Sequence, residues 1–190
     1  MTRKTNVHYD SYEFLHNDTT NNQAETQCIL KFHLNKFDIK GLKLAFESEY
    51  LKKKLFKLIN RYGAICNDET NIFFNVSKSC ICLSTDKYNQ KLGEYIVLTK
   101  CQAAAFKISR NFIIELSNII DDDIMEEMFD IGDNMEISYR NHIVHYNELS
   151  GKDKFEGLED DFSADYVEYE DSIEDYFDNE ERWNNFLKNL

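Results

Sequence analysis

Proline is absent from this chain of 190 residues, and only six residues are glycine. Because the usual markers of rigid turns and linkers are missing, domain boundaries must be sought in charge and hydrophobic periodicity. No apolar run approaches the roughly 20 residues that span a bilayer, so we expect no membrane partner. The glycine loop that cradles phosphate, the Gly-x-Ser-x-Gly elbow and the His-Glu-x-x-His motif are also absent. The sequence therefore predicts a non-enzymatic protein without a cofactor.

Cysteine occurs an odd number of times, five, and no signal-peptide pattern accompanies it. These features predict reduced thiols and a cytoplasmic or nuclear location. The abundance of Asn, Lys, Ile, Tyr and Phe is typical of AT-rich coding genomes, which leaves a virus or phage origin open. The paired soft ligands are Cys80-x-Cys82 and His142-x-x-His145, and zinc sites normally place two residues between cysteines. We therefore predict no metal site.

Charge is divided unevenly along the chain. The net charge is −13, but residues 31–61 carry +6, residues 62–110 carry +2 and residues 111–190 carry −19. The 14 Phe and 11 Tyr residues provide more aromatic surface than a disordered chain carries. A basic region followed by a strongly acidic one is typical of proteins that associate with nucleic acid or with the proteins that handle it.

Periodicity predicts an α+β fold, a small antiparallel sheet with packed helices and an acidic C-terminal arm. Four domains are expected: a polar arm (1–26), a basic α+β core (27–120), an acidic helix or hairpin extension (121–150) and an acidic, aromatic-containing arm (151–190). The predicted strands cover residues 26–34, 72–76, 80–84 and 93–98, and a hairpin is expected over 135–146. The predicted helices cover residues 39–62, with a lysine-rich exposed face, and 100–120, capped by Thr99.

Residues 71–116 carry a resemblance. A strand ends in Leu83-Ser-Thr-Asp-Lys-Tyr88, and Gly93-Glu-Tyr-Ile-Val-Leu-Thr-Lys-Cys-Gln102 leads into a helix. This segment resembles the single-stranded-DNA-binding domain of the transcriptional coactivator family called positive cofactor four. The resemblance implies a curved antiparallel sheet, binding of single strands and a homodimer formed through the helix. Ala103 stands where that family has tryptophan, and the family's proline before the last strand is missing.

Single-strand binding needs cations that follow the phosphates and aromatic faces on which bases stack. The predicted nucleic-acid-binding residues lie on the basic helix and, by the resemblance, on the sheet: Lys52, Lys53, Lys54, Lys57, Arg61, Lys78, Lys87, Tyr88 and Lys91. An ordinary solvated lysine face is the alternative interpretation of the helix. The predicted partner-binding residues alternate acid and aromatic in the C-terminal arm: Tyr166, Tyr169, Asp171, Glu174, Asp175, Tyr176, Phe177 and Asp178.

The leading functional hypothesis is a protein that binds single-stranded DNA or RNA, in replication or transcription, and is modulated by its acidic arm. The alternative is an acidic DNA mimic, encoded by a phage or virus, that blocks a nucleic-acid-handling enzyme. A third hypothesis is an assembly protein that uses its Phe- and Tyr-rich surfaces for oligomer contacts. The acidic arm itself could also be no more than a solubilising tail.

Overall fold

A computed structural model of the chain describes residues 6–18, 23–66, 69–82, 89–120 and 124–158. The described elements are β1 (Val7–Asp18), β2 (Ala24–Asn35), α1 (Lys40–Glu47), α2 (Glu49–Arg61), β3 (Asn71–Ile81), α3 (Gln90–Ser117) and α4 (Met125–Leu149). The predicted α+β class is confirmed. The described residues up to Glu156 belong to one compact unit, which ends there. The predicted acidic arm lies outside the described residues from residue 159 onward, and so do all its predicted partner-binding residues.

The three strands form one antiparallel sheet in the order β1-β2-β3. Alternate residues of β2, from Cys28 to Leu34, are buried, while the residues between them are partly or fully exposed. Helix α3 packs against all three strands, and α4 packs against α3. The sheet thus follows the usual antiparallel pattern, in which one face meets the core and the other faces solvent.

Helix α3 is buried on more than one side because it contacts both the sheet and α4. Its buried residues, which include Val97, Cys101, Phe106 and Phe112, are spread around the helix instead of forming one stripe. A helix buried in this way shows little amphipathic periodicity. The sequence prediction of a strand at residues 93–98 is therefore wrong: the segment is apolar and lacks helical periodicity, but it is part of α3.

Helix α3 begins at Gln90, where the side-chain oxygen of Asn89 accepts a hydrogen bond of 3.2 Å from the Leu92 amide. The predicted cap, Thr99, lies inside the helix, and its hydroxyl donates to the Tyr95 carbonyl at 3.0 Å. The strand that the family resemblance implies at residues 93–98 is therefore not formed. Residues 93–102 of the segment that carries the resemblance belong to a helix of 28 residues, and residues 83–88 lie outside the described ranges.

Two of the strands, β1 and β3, differ in extent from the strands predicted from the sequence. Residues 7–18, expected in a loose polar arm, form β1, an edge strand whose outward face is polar. Residues 72–76 and 80–81 of the two strands predicted at 72–76 and 80–84 belong to a single strand, β3, which pairs with β2 through the polar residues 77–79. Residues 83 and 84 lie outside the described ranges. Ser77 and Lys78 are exposed although they lie within a paired strand, so polarity here does not mark a turn.

The helices α1, α2 and α4 also differ from the elements predicted from the sequence. The helix predicted over 39–62 is divided at Ser48, which has an extended backbone and accepts a hydrogen bond from the Leu51 amide at the start of α2. The hairpin predicted over 135–146 lies within α4, whose buried Met128, Gly132 and Met135 follow helical spacing. Within the described residues, no helix is both long enough and apolar enough to pass through a membrane.

Aromatic rings join the sheet to α2 and α3. Phe32 stacks on Phe74 with ring centroids 5.1 Å apart, and Phe74 meets Phe112 of α3 edge to face at 5.4 Å. Tyr62, directly after α2, meets the same Phe112 at 5.4 Å. Because such pairs contribute about 0.5–1.5 kcal/mol beyond the area they bury, this cluster fixes α2 against the end of the sheet.

Gly93 of α3 faces the sheet and Gly132 of α4 faces α3, and the space beside each differs. A Cβ atom on Gly93 would lie 2.9 Å from Oγ1 of buried Thr26, whereas one on Gly132 would meet only Ile114, at an ordinary 3.7 Å. We expect Gly132→Ala to stabilise the fold by about 0.5–1 kcal/mol through helix propensity. Gly93→Ala should destabilise it by about 1 kcal/mol, because overpacking outweighs that gain. Urea unfolding followed by circular dichroism measures both, and equal stabilisation by the two changes would contradict the close approach.

Candidate nucleic-acid interface

Helix α2 presents part of the predicted basic surface to solvent. Lys53 and Lys57 are exposed, and no described residue forms an ion pair with either. The ammonium group of Lys54 lies 4.5 Å from the ring centroid of Tyr50, which is 66% exposed. Lys43 of α1 is exposed as well. The helix pair, α1 and α2, therefore combines accessible cations with an accessible ring.

The two other predicted residues of α2 take part in holding the fold. Lys52 contacts Glu69 at 2.6 Å, and this hydrogen bond raises the pKa of Lys52. Glu69 itself adopts a left-handed backbone conformation with φ of 55°. Arg61 forms an ion pair with Glu115 of α3, which also accepts a hydrogen bond from the Tyr62 hydroxyl at 2.7 Å. These two cations are less available to a ligand than Lys53 and Lys57.

The predicted lysines of the sheet region lie far from the helix pair. Lys91 is in the first turn of α3, whereas Arg61 of α2 contacts Glu115 near the end of α3. The helix rise places these two points roughly 36 Å apart. Lys78, on β3, pairs with Cys28, well along the sheet from the helix pair. Lys87 and Tyr88 lie outside the described residues, so the structure splits the predicted site.

The face of the sheet that points away from α3 carries a row of three rings that sequence reasoning missed. His8 of β1, His33 of β2 and Phe73 of β3 are register partners across the three strands. The two imidazoles are stacked, with centroids 4.9 Å apart and planes 15° apart, and His33 lies 5.4 Å from Phe73. The side chain of His8 is 39% exposed and that of His33 is 18% exposed. We call these three residues the aromatic row.

Each histidine of the row has its own carboxylate partner. Nε2 of His8 lies 2.6 Å from Oδ2 of Asp38, and Nδ1 of His33 lies 2.8 Å from Oδ1 of Asp10. A carboxylate accepts hydrogen bonds, so each bonded nitrogen carries a proton. The nitrogens left for other contacts are Nδ1 of His8 and Nε2 of His33.

A β-bulge accounts for the position of Asp10. The register of β1 against β2 shifts between Tyr9, which pairs with Phe32, and Ser11, which pairs with Lys31. Asp10 is therefore the extra residue, with no partner in the ladder, and its side chain reaches His33. Bulges of this kind redirect a side chain without ending the strand.

Polar residues surround the aromatic row on the same face of the sheet. Lys31, two residues before His33, is exposed and pairs in register with Ser11 and Asn75. On the far side of the row, the amide of Asn35 donates to the side-chain oxygen of Asn71 at 2.8 Å. The row therefore has a cation on one side and side-chain amides on the other.

The aromatic row and the helix pair occupy the same end of the sheet. Asp38, the partner of His8, lies two residues before Lys40, the first residue of α1. On β3, the backbone of Phe73 exchanges two hydrogen bonds, of 2.8 and 3.0 Å, with Ile65, which follows α2. Phe37, exposed by 71%, lies in the turn between the sheet and α1. The aromatic row therefore lies beside the two segments that connect the sheet with the helix pair.

The row was missed because it depends on pairing between strands. His8 and Asp10 fall in residues expected to be a loose arm, and His33 and Phe73 lie 40 positions apart in the sequence. The one local signal was alternation in residues 7–15, where apolar residues occur between polar ones. Even with β1 assigned, the bulge would have been needed to place His8 and Tyr12 on opposite faces.

His142 and His145, considered in the sequence as metal ligands, lie between α3 and α4. Nδ1 of His142 donates to the Ser138 carbonyl at 2.7 Å, and its ring packs 5.2 Å from Phe106. Nε2 of His145 lies 2.8 Å from the Tyr95 hydroxyl. No group of three or more metal-ligating side chains occurs within the described ranges. The two histidines serve the helix interface.

Burial lowers the pKa of both His142 and His145, so protonating them costs more in the folded chain than in the unfolded one. The unfolded chain binds more protons just below the ordinary histidine pKa of 6.5, and the free energy of unfolding falls as pH falls below that value. The limiting slope is about 1.4 kcal/mol per pH unit for each histidine. A double His142→Gln, His145→Gln variant should lose this slope in urea titrations between about pH 5 and 7. An unchanged slope would show that neither histidine is buried in its neutral form.

No protein-family model matches the chain, and the searches of curated proteins and of solved structures returned no match either. The function is therefore inferred from the geometry of the chain's own residues.

Proposed function

We propose that the protein binds single-stranded nucleic acid at the end of the sheet that carries the aromatic row. One observation supports this proposal above the others: three rings lie in register on the open face, at the end of the sheet that connects with a helix pair that exposes lysines. Bases stack on the rings, and the phosphates follow Lys31, Lys43, Lys53 and Lys57. The proposal keeps part of the site predicted from the sequence and moves its sheet portion from Lys78 and Lys91 to the row.

The geometry favours a single strand over a duplex. In a duplex the faces of the bases are covered by their neighbours, whereas a single strand can turn its bases onto aromatic side chains. His8, His33 and Phe73 lie on adjacent strands, which are about 4.8 Å apart in a sheet. His8 and His33 cover one face of each other, so a base stacks on a ring face that this contact leaves open. Each stacked base contributes about 1–3 kcal/mol, with little dependence on its identity.

The lysines add an attraction that does not depend on sequence. Each phosphate neutralised on a single strand releases counterions, and the logarithm of the binding constant falls with the logarithm of salt by about 0.7 per contact. Lys53 and Lys57 have no ion-pair partner among the described residues, so no intramolecular bond must break before they bind. Lys52 and Arg61 would first have to leave Glu69 and Glu115.

The proposal predicts which lysines determine the salt dependence. A Lys53→Gln, Lys57→Gln variant should weaken binding of a fluorescent single-stranded oligonucleotide and reduce the salt slope by about 1.4. The matched control, Lys78→Gln with Lys91→Gln, removes the same charge at positions away from the helix pair and should leave the slope unchanged. Equal effects of the two variants would indicate a diffuse electrostatic attraction and no defined site. No binding by the full chain at low salt would remove the proposal.

The ring contribution is tested separately at Phe73. Phe73→Leu retains an apolar side chain on β3 but removes the aromatic face, so binding should weaken by about 1–3 kcal/mol while the salt slope stays the same. Leu15→Ala, an exposed change elsewhere on the open face, serves as the control. Fluorescence anisotropy at several salt concentrations gives both quantities, and an unchanged affinity for Phe73→Leu would contradict base stacking on the row.

A second candidate, a mimic of nucleic acid, is favoured by the first half of α4. Glu126, Glu127, Asp130 and Asp133 are exposed there, on a helix, and a mimic needs acids held at fixed intervals. Glu127 also contacts Lys40 at 3.5 Å, and acids near a helix N-terminus stabilise the helix in any case. The two functions differ in one outcome: a mimic fails to bind oligonucleotide and copurifies with a protein that binds nucleic acid.

A further inference from the structure

The two histidines of the aromatic row have an arrangement that binding alone does not require. Each imidazole is held by a carboxylate, yet the two use opposite nitrogens: His33 is held through Nδ1 and His8 through Nε2. Two adjacent imidazoles therefore have one nitrogen each that is not committed to a carboxylate, Nε2 in one and Nδ1 in the other. Base stacking would be served equally well by two phenyl rings.

We propose that the protein cleaves single-stranded RNA by transesterification, with His8 and His33 as the catalytic residues. This proposal rests on the binding site of the proposed function and adds a reaction to it. It runs against the expectation of a non-enzymatic protein, which was based on the absence of short motifs. A pair of histidines joined across strands leaves no such motif in a sequence.

The reaction needs a base and an acid, and the two imidazoles supply both. Neutral His33, with Nδ1–H donated to Asp10, presents the lone pair of Nε2 and removes the proton from a ribose 2′-hydroxyl. The 2′-oxygen then forms a bond to the adjacent phosphorus, and the bond from phosphorus to the 5′-oxygen breaks. Protonated His8 donates its Nδ1 proton to that leaving oxygen. The products are a 2′,3′-cyclic phosphate and a 5′-hydroxyl, and proton exchange with water restores both imidazoles.

Lys31 is placed to stabilise the charge that develops on the phosphorus oxygens. It lies two residues from His33 on β2 and points to the same face, which puts it about 7 Å along the strand. Its ammonium group is exposed and has no ion-pair partner in the described part of the chain. A fixed cation at such a position favours the transition state over the diester, because the charge is greatest in the transition state.

Asp10 and Asp38 act as positioning residues. Each accepts the N–H of one imidazole, which fixes the tautomer and the ring orientation and stabilises the imidazolium that forms during proton transfer. The bulge at Asp10 is what brings the first of these carboxylates to His33. Side chains on paired strands keep such geometry better than side chains on loops.

The test uses the full chain, in the presence of EDTA, with a labelled DNA oligonucleotide that contains one ribonucleotide. Cleavage is expected at that residue, with a 2′,3′-cyclic phosphate identified by mass spectrometry, and an all-DNA oligonucleotide should stay intact. His33→Asn keeps a donor at the position of Nδ1, and His8→Gln keeps one at the position of Nε2. Both variants retain the bond to Asp yet lose the catalytic nitrogen, so each should reduce cleavage by about 100-fold or more when measured at saturating protein, where the affinity lost with the ring no longer limits the rate.

Two further variants complete the experiment. Lys31→Gln, a change at an exposed position that leaves the core untouched, should reduce cleavage by about tenfold or more. His16→Gln is the control, because His16 pairs with Glu94 about 26 Å along β1 from His8. Wild-type protein that binds but does not cleave would overturn this inference and leave the proposed function standing. Protein that does neither overturns both, and cleavage that persists in His33→Asn or His8→Gln overturns the assignment.

Discussion

The burial of α3 on both sides is the constraint on which the rest of the structure depends. The core face of the sheet and the inner face of α4 both pack against this one helix. Gly93 allows it to approach Thr26 closely near its start, and Phe112 joins it to Phe74 and Tyr62 near its end. Because α3 occupies one face of the sheet, the opposite face is the one on which polar and aromatic side chains can meet a ligand.

The register of the three strands fixes the positions of the side chains on this open face. β2 lies in the middle of the sheet, so His33 is held between partners from β1 and β3 at once. The bulge in β1 lets Tyr9 face the core, where it packs against Phe106, while Asp10 turns toward His33. One irregularity in the ladder thus serves both the core and the proposed site.

Exposed charges of opposite sign lie on different helices. The helix pair α1 and α2 exposes Lys40, Lys43, Lys53, Lys57 and Arg61, and the first half of α4 carries accessible acids. The two regions meet where Lys40 contacts Glu127 and where Met128 packs against Gly41. Lys53 and Lys57 are exposed on α2 and take no part in that contact. For the described residues, the division of charge that is visible in the sequence therefore corresponds to two neighbouring helical regions of opposite sign.

The sequence by itself determined the α+β class, the strand at β2 and the basic amphipathic face of α2, because β2 alternates and α2 has one buried stripe. It predicted the second part of α3, within residues 100–120, but not the start of that helix, since a helix buried on both sides loses its stripe. It did not predict α4, because His142 and Tyr139 interrupt the apolar spacing of that helix. Only the tertiary structure decided that Lys91 lies far from the helix pair and that His8, His33 and Phe73 meet. Those distances depend on strand register, on one bulge and on the direction of α3, and the free energy that fixes them comes from contacts between residues distant in the chain.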